Sequence, residues 1–289
     1  MPGPTVIFYD SGLGGLSHVP DFLAQVSCPR LVYFADSANF PYGRLPRATL
    51  EELILSNVAA LVDQYDPCML IVACNTASVS ALAALRRAFP ALVVVGTVPA
   101  IKLAAEYSQS RRIGVIATER TIAEPYIHEL AARHAPDCLL ETVAAGELVD
   151  FVETRYLQAG PKEREDAVRP ALERCLAANC DALVLACTHF IFLADEFERL
   201  SAGRARVFDS RDGVARRAAS LYQERYPLER GGDTCRIYLE SALDCVSASI
   251  EPARRSFVAS VGFDHMERVA AFCTASEIHR LGVPSGEAR

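Results

Sequence analysis

Short apolar runs alternate along this chain with longer segments in which apolar residues recur every three or four positions. The first pattern is typical of buried strands, and the second is typical of helices with one buried face. We predict strands at 5–9, 31–35, 69–73, 93–96, 112–117, 182–186 and 206–208. We predict helices at 15–26, 47–65, 78–89, 100–107, 122–134, 162–178 and 213–226. This βαβα alternation indicates an α/β fold with parallel sheets that helices cover.

The chain of 289 residues is long enough for two domains, because domains commonly contain roughly 100–200 residues. We expect the chain to cross to a second domain near 96–99 and to return near 209–210. Two weaker apolar runs, 236–239 and 256–261, are interpreted as edge elements of the first domain. The predicted division is a discontinuous first α/β domain, 1–97 plus 209–289, and a second α/β domain, 98–208.

Two predicted strands end in the same way, and this repetition is the most informative chemical feature of the chain. Cys74 and Cys187 each follow an apolar run that ends in alanine, and small polar residues come next. Ligands of open α/β sheets collect at the carboxyl ends of the strands, so we expect both thiols at such a site. Two thiols on opposite faces of a carbon can remove a proton from one face and return one to the other, as a cofactor-free racemase requires. The alternative is that both are buried structural cysteines.

Such a reaction needs one thiolate and one thiol at the same time. A free thiol has a pKa of about 8.5, and a helix N-terminus or a neighbouring cation lowers it. Both cysteines directly precede segments that we expect to be helical, so this lowering is available to them. Ionised carboxylates of Asp10 and Glu153 would oppose it by like-charge repulsion.

Glycines and polar side chains follow the first two predicted strands. Asp10 and Ser11 precede three glycines, which allow a ligand to approach the backbone closely at a helix N-terminus. A dinucleotide fingerprint would need a glycine where Ser17 stands, so that fold motif is not indicated. A tight turn between a strand and a helix is the alternative interpretation. The loop 35–43 again joins polar groups to a rigid turn.

The polar residues after the two cysteines are either helix caps or ligands of an amino-acid carboxylate. A Cys-x-His metal pair is a rival interpretation of Cys187 and His189, but the sequence offers no companion cluster of metal ligands. His128-Glu129 begins like a zinc-peptidase helix, yet Ala132 occupies the position of the second histidine. We therefore expect no metal.

The composition is that of an ordinary globular protein, with 51% hydrophobic and 22% charged residues. The net charge is −7 and the arginine pairs are scattered, so we expect no nucleic-acid-binding surface. No apolar run approaches the roughly 18 residues of a membrane span, and we expect no signal peptide. The ten cysteines lack paired spacing, which favours reduced thiols in a cytoplasm.

Lysine is nearly absent from the sequence, and this bears on the cofactor. Pyridoxal phosphate is the usual electron sink for a carbanion beside a carboxylate, and it needs a Schiff-base lysine. The chain offers only Lys102, in an apolar helix, and Lys162, in a charged stretch. We therefore expect no cofactor.

Five short motifs occur in order between about residues 5 and 215. They are Asp-Ser-Gly-x-Gly-Gly-Leu at 10–16, Phe-Ala-Asp-Ser-Ala-Asn-Phe-Pro-Tyr-Gly at 34–43, Ala-Cys-Asn-Thr-Ala-Ser at 73–78, Ile-Ala-Thr at 116–118 and Ala-Cys-Thr-His at 186–189. Together, in this order and spacing, they resemble the glutamate racemase family. The resemblance implies cofactor-free interconversion of L- and D-glutamate, which supplies D-glutamate for bacterial peptidoglycan. It also implies two flavodoxin-like α/β domains with the active site in the cleft between them.

The resemblance also implies roles for individual residues. Cys74 would take the proton from D-glutamate, and Cys187 would take it from L-glutamate. Asp10 and His189 would assist them, and Glu153 resembles a second assisting acid. The implied substrate-binding residues are Ser11, Pro41, Tyr42, Gly43, Asn75, Thr76, Thr118, Thr121 and Thr188. Glutamate and a second copy of the chain, in a homodimer, are the expected partners.

Two segments depart from the family's pattern. Residues 144–148, before Glu153, read Ala-Ala-Gly-Glu-Leu where the family usually has Cys-Pro-x-Leu-Val. Phe190-Ile191-Phe192 stands where Tyr-Pro-Leu is usual. We expect the second departure to alter the back wall of the pocket and to leave the acid/base residues intact.

Other functions stay open at this point. Within the same superfamily these are an aspartate or hydantoin racemase and a decarboxylase that uses one cysteine. The presence of both cysteines argues against the decarboxylase, and the resemblance of the loops 10–16 and 34–43 to the glutamate racemase family favours glutamate over aspartate. A regulatory protein that binds DNA gyrase, a side activity of some glutamate racemases, belongs to a different class. A catalytically silent binding protein is the least favoured, because both thiols and the polar residues around them are intact.

Overall fold

The computed structural model describes residues 4–26, 30–226 and 236–241, and within them two β-sheets are flanked by helices. The strands are β1 (Thr5–Asp10), β2 (Arg30–Ala35), β3 (Met69–Val72), β4 (Val93–Gly96), β5 (Arg112–Ala117), β6 (Leu139–Ala144), β7 (Ala182–Leu185), β8 (Arg206–Phe208) and β9 (Arg236–Ser241). The α-helices are α1 (Val19–Leu23), α2 (Arg47–Tyr65), α3 (Asn75–Ala88), α4 (Ile101–Tyr107), α5 (Glu119–Ala123), α6 (Pro125–His134), α7 (Glu147–Thr154), α8 (Pro161–Ala177), α9 (Ala194–Ser201) and α10 (Arg211–Arg225). The 3-10 helices are Gly14–His18, Ser37–Asn39, Tyr42–Arg44 and Thr188–Leu193.

All neighbouring strands in both sheets are parallel. The first sheet has the order β4-β3-β1-β2-β9, and the second has the order β6-β5-β7-β8. The prediction of an α/β fold with parallel sheets is therefore confirmed. Among the residues that the structure describes, no helix has the length and apolar character needed to cross a membrane.

The first sheet is buried on both faces, which explains why its strands read as continuous apolar runs. Successive residues of β1 point to opposite faces of the sheet. Val6 and Phe8 pack in one hydrophobic core, and Ile7 and Tyr9 pack in another. The first of these cores continues into the second sheet, where it includes Leu183 and Leu185 of β7. The two sheets are therefore joined by a shared apolar core as well as by the chain.

The differences from the predicted elements have local physical causes. Strand β6 was not predicted, because it lies at an edge of its sheet and Val143 is the one buried residue among its six. The predicted helix 122–134 is divided at Glu124, since the residue before Pro125 adopts an extended conformation. The predicted helix 15–26 is instead a 3-10 helix followed by the short α1. Helices α7 and α9 were missed as well.

The C-terminal predictions have different outcomes. The apolar run 236–239 lies in β9, which pairs with β2 at the edge of the first sheet, as predicted. The run 256–261 lies outside the described residues. The division into domains, 1–97 plus 209–289 and 98–208, stays a proposal. The membership of the strands in the two sheets and the packing of α10 against α1 support it.

His18 is a fully buried histidine near the point where the chain returns from the second sheet. Its Nδ1 lies 3.1 Å from Ser17 Oγ, and its Nε2 lies 3.0 Å from Ser210 Oγ. Burial lowers the pKa of His18 to about 4, and the Asp209 carboxylate opposes this shift in part. The folded protein therefore holds this imidazole in its neutral form down to mildly acidic pH.

We expect His18 to make the folded state sensitive to acid. The unfolded chain takes up the proton near pH 6.5, whereas the folded chain takes it up near pH 4, so stability falls as the pH drops through this window. His18→Gln should remove about 3 kcal/mol of the decrease in the free energy of unfolding between pH 7 and pH 4. Urea unfolding at both pH values measures this, with the exposed His128→Gln as the control. An unchanged pH dependence in His18→Gln would contradict the assignment.

Candidate active site

A cleft with about 430 Å³ of empty space lies where the carboxyl ends of β1 and β3 face those of β5 and β7. It is lined by Ser11, Pro41, Tyr42, Gly43, Arg44, Cys74, Asn75, Thr76, Thr118, Glu119, Gly146, Val149, Cys187, Thr188 and His189. The cleft therefore lies at the end of the strands where parallel α/β sheets usually bind ligands.

Cys74 follows β3 and forms the N-cap of α3. Its Sγ accepts a hydrogen bond from the Ala77 backbone N–H at 3.5 Å, and Ser11 Oγ lies 4.0 Å from it. Burial, and after it the charge of Asp10, raise the pKa of the Cys74 thiol well above its usual range. The Ala77 N–H lowers this pKa only in part. The helix N-terminus thus acts in the predicted direction but is outweighed.

Cys187 holds the equivalent position on the second sheet, between β7 and the 3-10 helix that begins at Thr188. Its Sγ lies 3.9 Å from His189 Nδ1, and His189 Nε2 lies 2.7 Å from Glu153 Oε1. Burial lowers the pKa of His189, but the contacts with Cys187 and Glu153 outweigh it and raise this pKa well above the usual range. The imidazole is therefore protonated at neutral pH and donates to the Glu153 carboxylate.

Asp10 ends β1, and its fully buried carboxylate reaches both sheets. Its Oδ1 accepts from the Ser11 N–H at 2.7 Å, and its Oδ2 accepts from the Gly15 N–H at 2.5 Å and from the Thr188 hydroxyl at 3.2 Å. Burial raises the pKa of Asp10, and the positive charge of His189 opposes this shift. Asp10 lies behind the residues that line the cleft.

Glu153 forms a second connection between the two halves of the site. It is buried on α7, and its Oε1 accepts a hydrogen bond from the Leu13 backbone N–H at 2.6 Å in addition to its contact with His189. Helix α7 is therefore held against the glycine-rich turn that follows β1. The catalytic role of Glu153 stays a prediction, but its place beside His189 fits an assisting acid.

Three threonine hydroxyls meet at the wall of the cleft. Thr76 Oγ1 on α3 lies 3.2 Å from both Thr118 Oγ1 and Thr121 Oγ1, which are 3.1 Å apart. Thr118 also caps α5, because its side chain accepts from the Thr121 N–H. The first two line the cleft, whereas Thr121 lies behind them. This cluster connects the first sheet's helix with the second sheet's loop.

Asn75 differs from the other polar residues of the cleft. It is buried at 2% exposure, and neither its Oδ1 nor its Nδ2 has a hydrogen-bond partner among the described residues. A buried amide without partners costs free energy unless a ligand supplies them. Because Asn75 lines the cleft, its amide is suited to bind a polar ligand there.

The turn 41–43 contributes backbone to the cleft. A β-carbon on Gly43 would lie 3.2 Å from Thr118 Cβ, so this turn approaches the second sheet's loop closely. The Tyr42 hydroxyl donates to Asp36 Oδ2 at 2.5 Å and is therefore not directed at a ligand. Tyr42 can contribute to substrate binding through its backbone and its ring.

The structure brings together most of the predicted site residues. Those that line the cleft are Cys74, Cys187, His189, Ser11, Pro41, Tyr42, Gly43, Asn75, Thr76, Thr118 and Thr188. Asp10, Glu153 and Thr121 lie directly behind them and contact them.

Four residues that line the cleft were missed, namely Arg44, Glu119, Gly146 and Val149. Gly146 and Val149 follow β6, so recognition of that strand would have placed them at its carboxyl end. Arg44 directly follows the predicted turn, and its guanidinium pairs with Asp150 on α7 at 2.5 Å. That ion pair spans the two halves of the site, and a single sequence gives no signal for it.

The expectation that Phe190-Ile191-Phe192 alters the back wall of the pocket was wrong. None of the three lines the cleft. Phe190 is fully buried in the core, and the Phe192 ring lies 5.7 Å from the Tyr156 ring. The segment forms part of the 3-10 helix Thr188–Leu193, and Phe190 and Leu193 pack in the hydrophobic core.

The structure also bears on cofactors. Lys102 and Lys162 are both exposed and pair with Glu106 and Asp166 on their own helices. Neither lysine reaches the cleft, so neither can form a Schiff base there. In the described part of the chain, no group of three or more His, Cys, Asp or Glu side chains is arranged to hold a metal ion.

Comparisons with known proteins agree with this geometry. The Asp/Glu/hydantoin racemase family matches residues 29–218. A glutamate racemase from Glaesserella parasuis is 38% identical over 221 residues, which cover 76% of this chain and 82% of that protein. A glutamate racemase from Salmonella paratyphi A is 34% identical over 271 residues, or 93% of each chain.

A solved structure agrees over nearly the whole chain. Escherichia coli glutamate racemase, in complex with L-glutamate and the activator UDP-MurNAc-ala, superposes with a TM-score of 0.75 at 30% identity. The match covers 98% of this chain and 96% of that chain. The fold and these relatives thus define an amino-acid racemase of the α/β type. The chain belongs to the Asp/Glu/hydantoin racemase family, so the predicted resemblance and the prediction of an amino-acid racemase, an isomerase, are confirmed.

Gly14 lies where the two halves of the site are in close contact. A β-carbon there would lie 2.5 Å from both His189 Nδ1 and Thr188 Oγ1, and 2.7 Å from the His189 backbone N. Gly14→Ala should therefore displace the segment that carries Cys187, with a loss of about 1–3 kcal/mol in stability and a larger loss in racemase activity. Thermal unfolding and a racemisation assay measure the two effects.

Gly213 provides the matched control on α10. A β-carbon there meets no atom within 4 Å, so Gly213→Ala should stabilise the helix by about 0.5–1 kcal/mol and leave activity unchanged. A Gly14→Ala protein with wild-type stability and turnover would contradict the described contact between the two halves.

Proposed function

We propose that this chain interconverts L- and D-glutamate by a cofactor-independent, two-cysteine transfer of the α-proton. The observation that carries the proposal is that Cys74 and Cys187, at the carboxyl ends of strands in different sheets, line one cleft. The relatives named glutamate racemase, and the L-glutamate in the Escherichia coli structure, support glutamate as the substrate.

The proposed reaction is a transfer of protons and needs no oxidant or reductant. Starting from D-glutamate, the Cys74 thiolate takes the α-proton, and the electron pair of the Cα–H bond stays on the substrate as a carbanion. The Cys187 thiol then donates its proton to the opposite face of that carbon, which yields L-glutamate. Cys74 is left as a thiol and Cys187 as a thiolate, and the reverse reaction begins from this state.

The charges around Cys74 explain how the bound substrate helps to form the Cys74 thiolate. In the cleft, burial and Asp10 favour the thiol form of Cys74. The substrate's α-ammonium brings a positive charge, and a cation near a thiol favours the thiolate. We propose that the bound substrate thereby favours the Cys74 thiolate. This base then forms only when the substrate that gives up the α-proton is in the cleft.

Hydrogen-bond donors would stabilise the negative charge that develops on the substrate carboxylate. Asn75 has an unpaired amide, Thr76 presents a hydroxyl, and α3 begins at the same place, whereas the Thr188 hydroxyl proton goes to Asp10. Fixed donors in a cleft with little water are worth more than the same donors in bulk solvent. Protonated His189, held by Glu153, is suited to balance the charge on the Cys187 sulfur during the transfer.

The biological role follows from the product. D-Glutamate is a component of bacterial peptidoglycan, so we propose that the enzyme works in the cytoplasm and supplies cell-wall synthesis. The homodimer and the side activity on DNA gyrase stay predictions from the family resemblance.

Each cysteine should be essential for racemisation. Cys74→Ser and Cys187→Ser should each reduce kcat by about 10²–10⁴-fold, because each removes one of the two acid/base groups. Circular dichroism of D- and L-glutamate, incubated separately with reduced protein and with no added cofactor, measures the reaction. Both solutions should converge to zero ellipticity with the wild type, whereas D-aspartate should stay unchanged.

Cys138→Ser is the matched control, since Cys138 is only partly buried and does not line the cleft. It should retain wild-type turnover. Substantial racemisation by either Cys74→Ser or Cys187→Ser would sink the two-cysteine mechanism, and conversion of aspartate rather than glutamate would overturn the proposed substrate.

A further inference from the structure

A ring of buried and partly buried hydrogen bonds lies directly behind the turn 41–43. The Tyr42 hydroxyl donates to Asp36 Oδ2 at 2.5 Å, and Tyr9 Oη lies 2.5 Å from Tyr42 Oη. Asn57 Nδ2 donates to Tyr9 Oη at 3.1 Å and to Asp36 Oδ2 at 2.9 Å. Because the single Tyr42 proton goes to Asp36, Tyr9 must be the donor to Tyr42. Tyr42 and Asn57 therefore donate directly to the Asp36 carboxylate, and Tyr9 donates to Tyr42.

Asp36 is an unusual residue to find in this place. It is fully buried, and the three side chains that donate to it, from Asn39, Tyr42 and Asn57, are all neutral. Burial of a carboxylate is costly, and a well-packed apolar residue is often at least as stable as a buried charge. Stability alone therefore gives no reason for a carboxylate here.

The geometry connects Asp36 with the cleft through Tyr42. Pro41 and Gly43, on either side of Tyr42, line the cleft, and the Arg44 N–H closes the turn by donating to the Pro41 carbonyl at 3.2 Å. Gly43 also approaches Thr118 on the opposite wall. A shift of this turn would therefore change the width of the cleft.

The Tyr42 hydroxyl is well suited to anchor the turn. Burial, and after it the neighbouring Tyr9 and Asp36, raise the pKa of Tyr42 well above its usual range, so the hydroxyl stays a donor. A hydrogen bond to a carboxylate is stronger than one between neutral groups. Asp36 thus holds Tyr42 more firmly than an amide or a hydroxyl acceptor would.

We propose that Asp36 is a positioning residue, which fixes the turn 41–43 in its substrate-binding conformation through the Tyr42 hydroxyl. This inference rests on the proposed function, because it assigns the turn to the glutamate site. Asp36 does not line the cleft, so it acts on binding without contacting the substrate.

The test compares three variants in the same assay. Tyr42→Phe removes only the hydroxyl and should raise KM for glutamate about tenfold, with kcat changed less than about threefold. Asp36→Asn should also raise KM, by a smaller factor, because an amide oxygen accepts the Tyr42 proton less firmly than a carboxylate does. The double variant D36N/N39D restores the hydrogen bond between positions 36 and 39 but leaves Tyr42 with an amide acceptor, so its KM should stay above the wild-type value.

Asn57→Ala is the matched control. It removes two hydrogen bonds from the same ring but leaves the bond from Tyr42 to Asp36 in place. It should lower the thermal stability at least as much as Tyr42→Phe and leave KM within about twofold of the wild type. An equal rise of KM in Asn57→Ala and Tyr42→Phe would show a merely structural role and overturn the proposal.

Hydrogen exchange of the free protein gives a readout that does not depend on the substrate. The amides of Arg44 and Leu45 close the turn, and in Tyr42→Phe they should exchange faster than in Asn57→Ala. Slow exchange at both amides in Tyr42→Phe would overturn the proposal, whatever the substrate is. If the wild type does not racemise glutamate, the proposed function fails, and the exchange experiment alone decides the role of Asp36.

Discussion

The rest of the site depends on the hydrogen bonds that the Asp10 carboxylate accepts. It is fully buried at the end of β1, and it accepts hydrogen bonds both from its own turn and from Thr188 beyond β7. A buried carboxylate must find several donors, because its desolvation is otherwise too costly. Since those donors come from both sheets, Asp10 fixes the distance between the two strand ends that carry the cysteines.

The same arrangement distributes charge unequally between the two thiols. Cys74 lies beside Asp10, and its pKa is raised, whereas Cys187 lies 3.9 Å from the Nδ1 of a protonated His189. The site is therefore not symmetric, although the two strand ends have similar sequences. An enzyme that accepts both enantiomers can use this asymmetry, because the substrate's α-ammonium group can compensate for the negative charge of Asp10 beside Cys74.

Much of the fold was predictable, because most of its strands are covered on both faces and read as apolar runs. β6 was not, since it is an edge strand with half-exposed residues, and the lining residues Gly146 and Val149 were lost with it. The carboxyl-end rule predicts that Cys74 and Cys187 share a site, and both line one cleft.

Contacts between segments that are far apart in the sequence could not be predicted from it. The bond from the Leu13 N–H to Glu153 spans 140 residues, and no local pattern encodes it. The direction of the Tyr42 hydroxyl could not be predicted either. The motif around 41–43 suggests a ligand contact, whereas the structure shows a hydrogen bond to Asp36. In both cases tertiary packing, rather than residue type, decides what the side chain does.

The central claim is that two different bases act on the two faces of one carbon. The most direct test incubates D-glutamate with the enzyme in D₂O, stops the reaction at early conversion, separates the two enantiomers by chiral chromatography and measures the Cα deuterium of each by mass spectrometry. The account predicts that the L-glutamate formed carries deuterium at Cα, while the remaining D-glutamate keeps its proton. Deuterium that appears in the remaining D-glutamate as fast as in the product would show that one base serves both faces, and it would contradict the account.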